Sequence, residues 1–441
     1  MQQEDKIVVG LDIGTTKICA VVGRKNEFGK LEVLGMGNTV SDGVTRGIVS
    51  NIEKTVYAIR TAVEEAEKQS GINIRVVNVG IAGQHIKSSI HHGSITRNTS
   101  HDEITVQDVN RLTNDMYRIV TPPGNEIIHV MPQLYTVDYE EDIIDPVGMS
   151  GVKLEADFHV ITAKTNAIRN VKKCVERAGL QIEDLILEPL ASSLAVLSRE
   201  EKEAGVCLID IGGGTTDLAI FHENIIRHTK VIPLGGNIIT KDIKDGCSVL
   251  YSQAELLKTK FGKAIAEDAS HSDIVSIPGL RDRPPTEISL RNLASIIEAR
   301  MHDIFEMVHA EIITSGYDDK LSAGIVITGG GSQMQGVRQL CEYMTGMDAR
   351  IGYPNEHLGK SRIETMKSPM FATSVGLVLA GYKAIDERNK YIKLHRQVSS
   401  LAPSYENTRM HQEKKEGTIF RMIMEKTRNL FIDEDLDDKD E

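Results

Sequence analysis

Hydrophobic positions along the chain follow two alternating patterns. Short, continuous apolar runs at 7–13, 18–22, 76–82, 206–211, 218–221 and 325–327 are set off by glycine or short polar residues and have the length of buried strands. Between them Ile52, Val56, Ile59, Val63 and Ala66 recur at helical spacing. The stripe follows the capping side chain of Asn51 and stops before Gly71, so a helix is predicted over 52–69 with one face in a core. A second helix is expected over 337–344. Strands and helices alternating in this way predict an α/β architecture with helices on each side of mixed sheets. Residues 84–162 interrupt the alternation with strand and helix signals of their own.

Two of the predicted strands end in the same turn. The first reads Asp12-Ile13-Gly14-Thr15-Thr16-Lys17 and is followed by a second strand, which makes a hairpin. The second reads Asp210-Ile211-Gly212-Gly213-Gly214-Thr215-Thr216-Asp217 and is followed by a strand, a His222-Glu223-Asn224 turn and another strand from Ile225. A device built twice predicts two similar halves. Glycine in such a turn lets backbone N–H groups approach an anion, and the threonine hydroxyls add donors to phosphate oxygens. Asp12 and Asp210, at the ends of buried strands, are then placed to hold water-coordinated Mg²⁺, because a carboxylate beside phosphate needs a cation between them. A single turn of this kind is as readily an ordinary glycine hairpin.

A third glycine cluster, Gly329-Gly330-Gly331-Ser332, follows the apolar strand Ile325-Val326-Ile327 and precedes the second helix, where the backbone could lie against a ribose or phosphate. It matches neither G-x-x-x-x-G-K-[ST] nor G-x-G-x-x-G, which argues against a Walker or Rossmann site. Glu255 and Lys258 share one face of a predicted helix; by themselves they read as a solvated pair.

Composition narrows the setting. The 441 residues carry a formal charge of −12, which disfavours nonspecific binding to nucleic acid. The five cysteines form neither a C-x-x-C pair nor a cluster with histidine, which fits a reducing cytosol. No stretch approaches the ~18 uninterrupted apolar residues of a spanning helix, and the N-terminus has no apolar signal core.

The ordered set of motifs resembles the superfamily of actin, sugar kinases and heat-shock chaperone ATPases. Asp12 to Lys17 resembles its first phosphate loop, Asp210 to Asp217 its second and Gly329 to Ser332 its adenosine loop. Leu187-Glu188-Pro189-Leu190-Ala191-Ser192 and Ala372-Thr373-Ser374-Val375-Gly376 resemble its two connecting helices. The resemblance implies a duplicated actin-like (ribonuclease H-like) ATPase fold that binds ATP and Mg²⁺. By it Glu188 orients the attacking water, and Glu255 and Lys258 flank adenosine. A carboxylate favoured by a helix dipole is the plainer reading of Glu188.

Within that superfamily the insertion at 84–162 is similar to that of the FtsA family of bacterial division proteins. The strings Asp42-Gly43-Val44-Thr45-Arg46-Gly47-Ile48-Val49, Val175-Glu176-Arg177-Ala178-Gly179, Ile232-Pro233-Leu234-Gly235-Gly236 and Ile297-Glu298-Ala299-Arg300 also resemble that family. The resemblance implies a first nucleotide-flanking domain from 1–83 and 163–203, with about 371–388, and an inserted domain at 84–162. It places a second flanking domain at 204–240 and 303–370, and a small adenine-side domain at 241–302. Arg300 of the small domain would contact the C-terminal peptide of FtsZ. The resemblance further implies self-association into filaments, recruitment of later division proteins, and a place on the cytoplasmic face of the cell membrane at the division septum. A pilus-assembly-like scaffold and a small-substrate kinase or phosphatase are the alternatives.

After a linker at 389–416, residues 417–432 form an amphipathic pattern. At helical spacing Ile419, Phe420, Ile423, Met424, Leu430 and Phe431 fall in one arc of about 140°, with basic residues at its edges. The resemblance implies a membrane-interface helix; a helix docked on a protein surface is the other reading. The tail at 433–441 is almost wholly acidic and opposes anionic lipid.

Overall fold

The computed structural model describes residues 6–97, 103–270, 272–279, 284–359 and 363–401, with side chains as far as 389. The chain divides into two units, 1–387 and 388–441. The expected membrane-interface helix at 417–432, with its apolar positions Ile419 to Phe431, and the acidic tail fall outside the described residues.

The first half opens with β1 (Ile7–Ile13), β2 (Lys17–Lys25) and β3 (Leu31–Val40), an antiparallel meander. After the two-residue strands β4 (Val44–Thr45) and β5 (Ile48–Val49), helix α1 (Ile52–Ser70) leads into β6 (Val76–Ile81). The Asn51 side chain accepts the Lys54 N–H at 3.0 Å, and Gly71 closes the helix at φ 70°. Its stripe of Val56, Ile59, Val63 and Ala66 is buried against the sheet, as the spacing predicts. Complete burial of Ile59 alone contributes roughly 2 kcal/mol.

The inserted unit follows: β7 (Lys87–Thr96), α2 (Val106–Met116), β8 (Asn125–Val137), β9 (Glu140–Ile143) and β10 (Lys153–Lys164). Its antiparallel sheet has the order β7-β10-β8-β9. Thr105 and Asp108 form a reciprocal capping box that starts α2, whose Leu112 and Met116 share a core with Phe158. The chain then returns through α3 (Thr165–Arg177), β11 (Gln181–Leu187), α4 (Glu188–Val196) and α5 (Arg199–Ala204).

The second half repeats the first. It begins with β12 (Val206–Ile211), β13 (Thr216–His222) and β14 (Ile225–Ile232), again an antiparallel meander. There follow α6 (Gly236–Cys247), α7 (Tyr251–Phe261), the hairpin β15 (Ile274–Ile277) and β16 (Thr286–Ser289), and α8 (Leu290–Ser315). The half closes with β17 (Ile325–Thr328), α9 (Val337–Thr345) and β18 (Ala349–Ile351), and the chain continues into α10 (Ala372–Leu401). The two main sheets have matching orders, β3-β2-β1-β6-β11 and β14-β13-β12-β17-β18, with the last two strands parallel in each. Both β1 and β12 are buried on both faces, which is why their sequences run apolar without alternation up to Asp12 and Asp210.

Two boundaries differ from expectation. The limit at 302 falls inside α8, because the buried stripe Ile297, Met301, Ile304, Phe305 and Val308 runs unbroken until Gly316 at φ 71°. The expected linker from 389 begins as helix: residues 382–402 contain neither Gly nor Pro, and α10 runs to Leu401.

Candidate functional site: a cleft between two matching turns

The ends of β1 and β12 face each other across a cleft of about 600 Å³, within the range of a small-molecule site. Each end forms a tight turn closed by one backbone bond, Gly14 N–H to Lys17 O at 3.0 Å and Gly212 N–H to Thr215 O at 2.9 Å. The turns interlock: a Cβ added to Gly213 would overlap the Thr16 side chain, and one added to Gly214 would overlap Thr15. Only glycine permits that approach.

Glu188 enters the cleft from the first residue of α4, and Gly329, Gly330 and Gly331 border it from the loop after β17. A Cβ on Gly330 would meet nothing within 4 Å, so that position faces open space. Glu255 and Lys258 line the opposite wall. They are not a solvated helix face. The Lys258 ammonium donates to Glu255 at 2.8 Å, to the Thr240 hydroxyl at 2.8 Å and to the Gly236 carbonyl at 3.0 Å, tying α7 to the start of α6.

Two expected contacts do not reach the cleft. Thr216 is fully buried and donates to the Leu234 carbonyl at 2.9 Å, because strand alternation turns it to the face opposite Thr215. Ser332 donates to the Gly329 carbonyl at 2.7 Å and braces the glycine loop from behind.

The floor of the cleft carries four carboxylates, Asp12, Glu188, Asp210 and Asp217, beside one ammonium, that of Lys17. Lys17 donates to Asp12 at 2.6 Å, and the Ser374 hydroxyl reaches the same oxygen at 2.9 Å. Burial would lower the Lys17 pKa, yet the negative charge and hydrogen bond of Asp12 hold it above its ordinary value. Asp210 receives the Ser192 hydroxyl at 2.7 Å and the Thr373 hydroxyl at 3.1 Å. Burial raises its pKa, and these hydroxyls pull against the rise. Burial, followed by the charge of Asp210, pushes Asp217 up to about 7. Burial and the negative charges of Asp12, Asp217 and Asp210 raise Glu188 well above the usual carboxylate range.

Sequence reasoning passed over Asp217, Ser192, Thr373 and Ser374 as site residues. All four stand inside the motif strings, and what marks them is the geometry: the hydroxyls come from α4 and α10, the elements that join the halves. One oxygen of Asp217 is buried without a hydrogen-bond partner. An unpartnered carboxylate oxygen and an excess of negative charge both fit a cation. Among the described residues no cluster of three or more His, Cys, Asp or Glu could hold a metal by side chains alone. A largely hydrated Mg²⁺ resting on one or two carboxylates is the species whose chemistry suits this donor set.

Comparison with known proteins agrees with this geometry. A sequence model described as the SHS2 domain inserted in FtsA matches residues 83–162, and one described as cell division protein FtsA matches 207–376. Cell division protein FtsA of Pseudomonas aeruginosa is 42% identical over 379 residues, 86% of this chain and 90% of its own length. The chain belongs to the FtsA family of cell division proteins. The Escherichia coli K12 FtsA is 35% identical, covering 85% of this chain and 90% of the relative, and that of Bacillus subtilis 36%, covering 85% and 83%. A solved chain of the PilM-PilN type IV pilus biogenesis complex superposes with a TM-score of 0.60 at 17% identity, over 85% of this chain and 98% of that one. It shows the shared mixed α/β, actin-like fold.

In this FtsA-family chain Arg300 already has partners. Its guanidinium donates to Asp242 at 2.6 Å and to Asp303 at 2.7 Å, and it keeps 27% of its side chain exposed. Among the described residues no helix is long and apolar enough to cross a membrane.

Proposed function

We propose that the cleft binds ATP with Mg²⁺ and that the protein uses this nucleotide state to assemble into filaments that tether FtsZ to the cytoplasmic membrane at the division septum. The observation that carries the reading is the convergence of two matching strand-end turns and a glycine loop on one acidic cleft. Backbone N–H groups and Thr15 and Thr215 would meet the phosphates, and the open position of Gly330 would lie against the adenosine. Asp12 and Asp210 would support hydrated Mg²⁺, which supplies charge neutralisation of the phosphates when bound. Glu188, at the first residue of α4, would orient the attacking water. Hydrolysis on this reading is slow.

Calorimetry of Mg-ATP tests the site. Asp210→Ala and Gly330→Asp should each abolish measurable binding, the first by removing the support of the cation and the second by placing a carboxylate against the nucleotide. Unchanged affinity in both variants sinks the assignment.

The partner assignments extend the same proposal. Arg300 would present its guanidinium to a carboxylate of the FtsZ C-terminal peptide, in exchange for one of its two aspartates. Equal peptide affinity of wild type and Arg300→Glu, by anisotropy, rejects that contact. The apolar arc at 419–431 would lie in the membrane interface, and many copies in a filament would add their weak affinities. Phe420→Glu with Phe431→Glu should release the protein from vesicles while ATP binding persists; continued flotation rejects the anchor. Co-sedimentation with FtsZ and electron microscopy on lipid layers test tethering and assembly, including recruitment of later division proteins.

A further inference from the structure

The inserted unit bonds to elements on both sides of the cleft, through polar contacts that are half-buried at Leu187 and at the Thr229 carbonyl and buried at the Thr229 hydroxyl. On one side, Nε2 of His129 in β8 accepts the backbone N–H of Leu187 at 3.1 Å. Leu187 ends β11, where it pairs with Ile81, and the next residue is Glu188. The residue before Glu188 is thus held by its own sheet on one side and by the inserted unit on the other. Burial pushes His129 down to about 4, so at ordinary pH the ring is neutral and its Nε2 is free to accept.

On the other side the contact is with β14, the edge strand of the second sheet. The Ser88 hydroxyl of β7 donates to the Thr229 carbonyl at 3.1 Å. His159 of β10 meets the Thr229 hydroxyl at 3.2 Å, and both side chains are almost fully buried. Beyond Thr229 the strand reaches Ile232, which pairs with Thr216, and then Leu234, whose carbonyl accepts the Thr216 hydroxyl. The Gly236 N–H after it bonds to the Gly212 carbonyl at 2.9 Å. An edge strand would otherwise leave its backbone groups unpaired. Here the inserted unit covers that edge and is two short links from the second phosphate turn.

We infer that the inserted unit is a clamp on the nucleotide cleft: His129 is a positioning residue for Glu188, while Ser88 and His159 set the strand that leads to the second phosphate turn. The two anchors have separable effects. Loss of the His129 acceptor leaves the Leu187 N–H unpaired and lets the α4 N-terminus shift, which misplaces Glu188 without altering the phosphate turns. Loosening β14 instead disturbs the turn that meets the nucleotide. A ligand seated on the inserted unit would act on the cleft through these same bonds. The inference rests on the assignment of Glu188 made above.

The test uses the full chain with radiolabelled ATP under single-turnover conditions, with calorimetry for affinity and hydrogen exchange for the Leu187 amide. His129→Leu should slow hydrolysis about tenfold and speed exchange at Leu187, while the ATP Kd stays within about twofold. His129→Gln, whose side-chain oxygen can accept the same N–H, should restore both readings. Ser88→Ala with Thr229→Val should raise the ATP Kd several-fold and leave turnover of bound ATP near wild type. Glu188→Gln is run beside them. If it hydrolyses ATP as wild type does, the role of Glu188 fails, and the Leu187 exchange and the Ser88/Thr229 affinity then decide the clamp alone. Wild-type hydrolysis and exchange in His129→Leu, with Glu188→Gln inactive, overturn the positioning role. Should His129→Leu not fold, unchanged ATP affinity in the Ser88/Thr229 variant overturns the clamp.

Discussion

At the end of β1, Asp12 is matched within its own turn by the Lys17 ammonium 2.6 Å away; at the end of β12, Asp210 accepts from two neutral hydroxyls and, among the described residues, bonds to no ammonium. The register of the two hairpins shows where the difference arises. Lys17 and Thr215 occupy equivalent positions, each accepting the closing bond of its turn. Opposite Asp12 stands Cys19, whereas opposite Asp210 stands Asp217. If all are ionised, Asp12 and Lys17 sum to zero in the first turn, and Asp210 and Asp217 sum to −2 in the second. The threonine pair Thr15-Thr16 likewise becomes the glycine pair Gly213-Gly214, so one turn supplies side chains and the other supplies room. Duplication kept the backbone device and divided the charge: the first aspartate is paired with an ammonium of its own turn, and the second is held by hydroxyls alone.

The largest effects should separate the two aspartates. In Asp210→Ala, Ser192 and Thr373 remain 3.0 Å apart and can satisfy each other, so the fold should hold while Mg-dependent ATP affinity falls at least ~100-fold. In Asp12→Ala, the largely buried Lys17 ammonium loses its counter-ion, and the unliganded protein should lose about 3 kcal/mol. Denaturant melts beside calorimetry check both. Equal stability loss in the two variants would remove the distinction between the turns.

The interlock can be tested with single methyl groups. Gly213→Ala drives a Cβ into Thr16 and should push the turns apart, lowering ATP affinity roughly tenfold, whereas the methyl of Gly330→Ala enters open space. That second variant tests whether the opening is occupied by the nucleotide. If Gly213→Ala binds ATP as wild type does, the turns must already separate when the ligand enters.

The excess negative charge also sets a pH dependence. Asp217 has a folded pKa of about 7, above its ordinary value of 3.8. The folded state therefore holds this proton more tightly than the unfolded state. The resulting stabilisation is fully present below 3.8 and is lost as pH rises through about 7. Asp217→Asn should accordingly raise the Tm of the nucleotide-free protein by roughly 2–4 °C at pH 8 and do little at pH 4. A gain independent of pH would mean that the carboxylate is not the cause.

Much of this arrangement was legible in the chain itself. The turn strings, the α1 stripe between Asn51 and Gly71, and the glycine cluster before α9 follow from local rules, and each fell where periodicity and capping place it. What local rules did not reach was partnership across the chain. Ser374 meets Asp12 from α10, 362 positions away, and Thr373 meets Asp210 from 163 away. Lys258 read as solvated because its partners Thr240 and Gly236 come from another helix. Thr216 read as a phosphate donor because the string does not reveal which face of β13 it takes. The coupling through His129 was invisible for the same reason, since the bond joins an inserted strand to a backbone N–H whose position only the fold determines.

The smallest expected effect lies in the hydroxyls, and it sharpens the contrast between the turns. Ser374 donates to an Asp12 oxygen that already holds the Lys17 ammonium, so Ser374→Ala leaves that carboxylate charge-paired. It should cost about 0.5 kcal/mol of stability and change ATP affinity less than twofold. Thr373 donates to a carboxylate with no paired ammonium, and its loss leaves the Ser192 hydroxyl as the remaining side-chain donor to Asp210. Thr373→Ala should cost about 1 kcal/mol and weaken Mg-ATP binding two- to fivefold, because Asp210 loses one of the donors that orient it. Urea melts and calorimetry on the two variants compare them directly. If Ser374→Ala proves the costlier of the two, the Lys17 ammonium does not secure Asp12 by itself, and the contrast between a charge-paired turn and one held by hydroxyls fails.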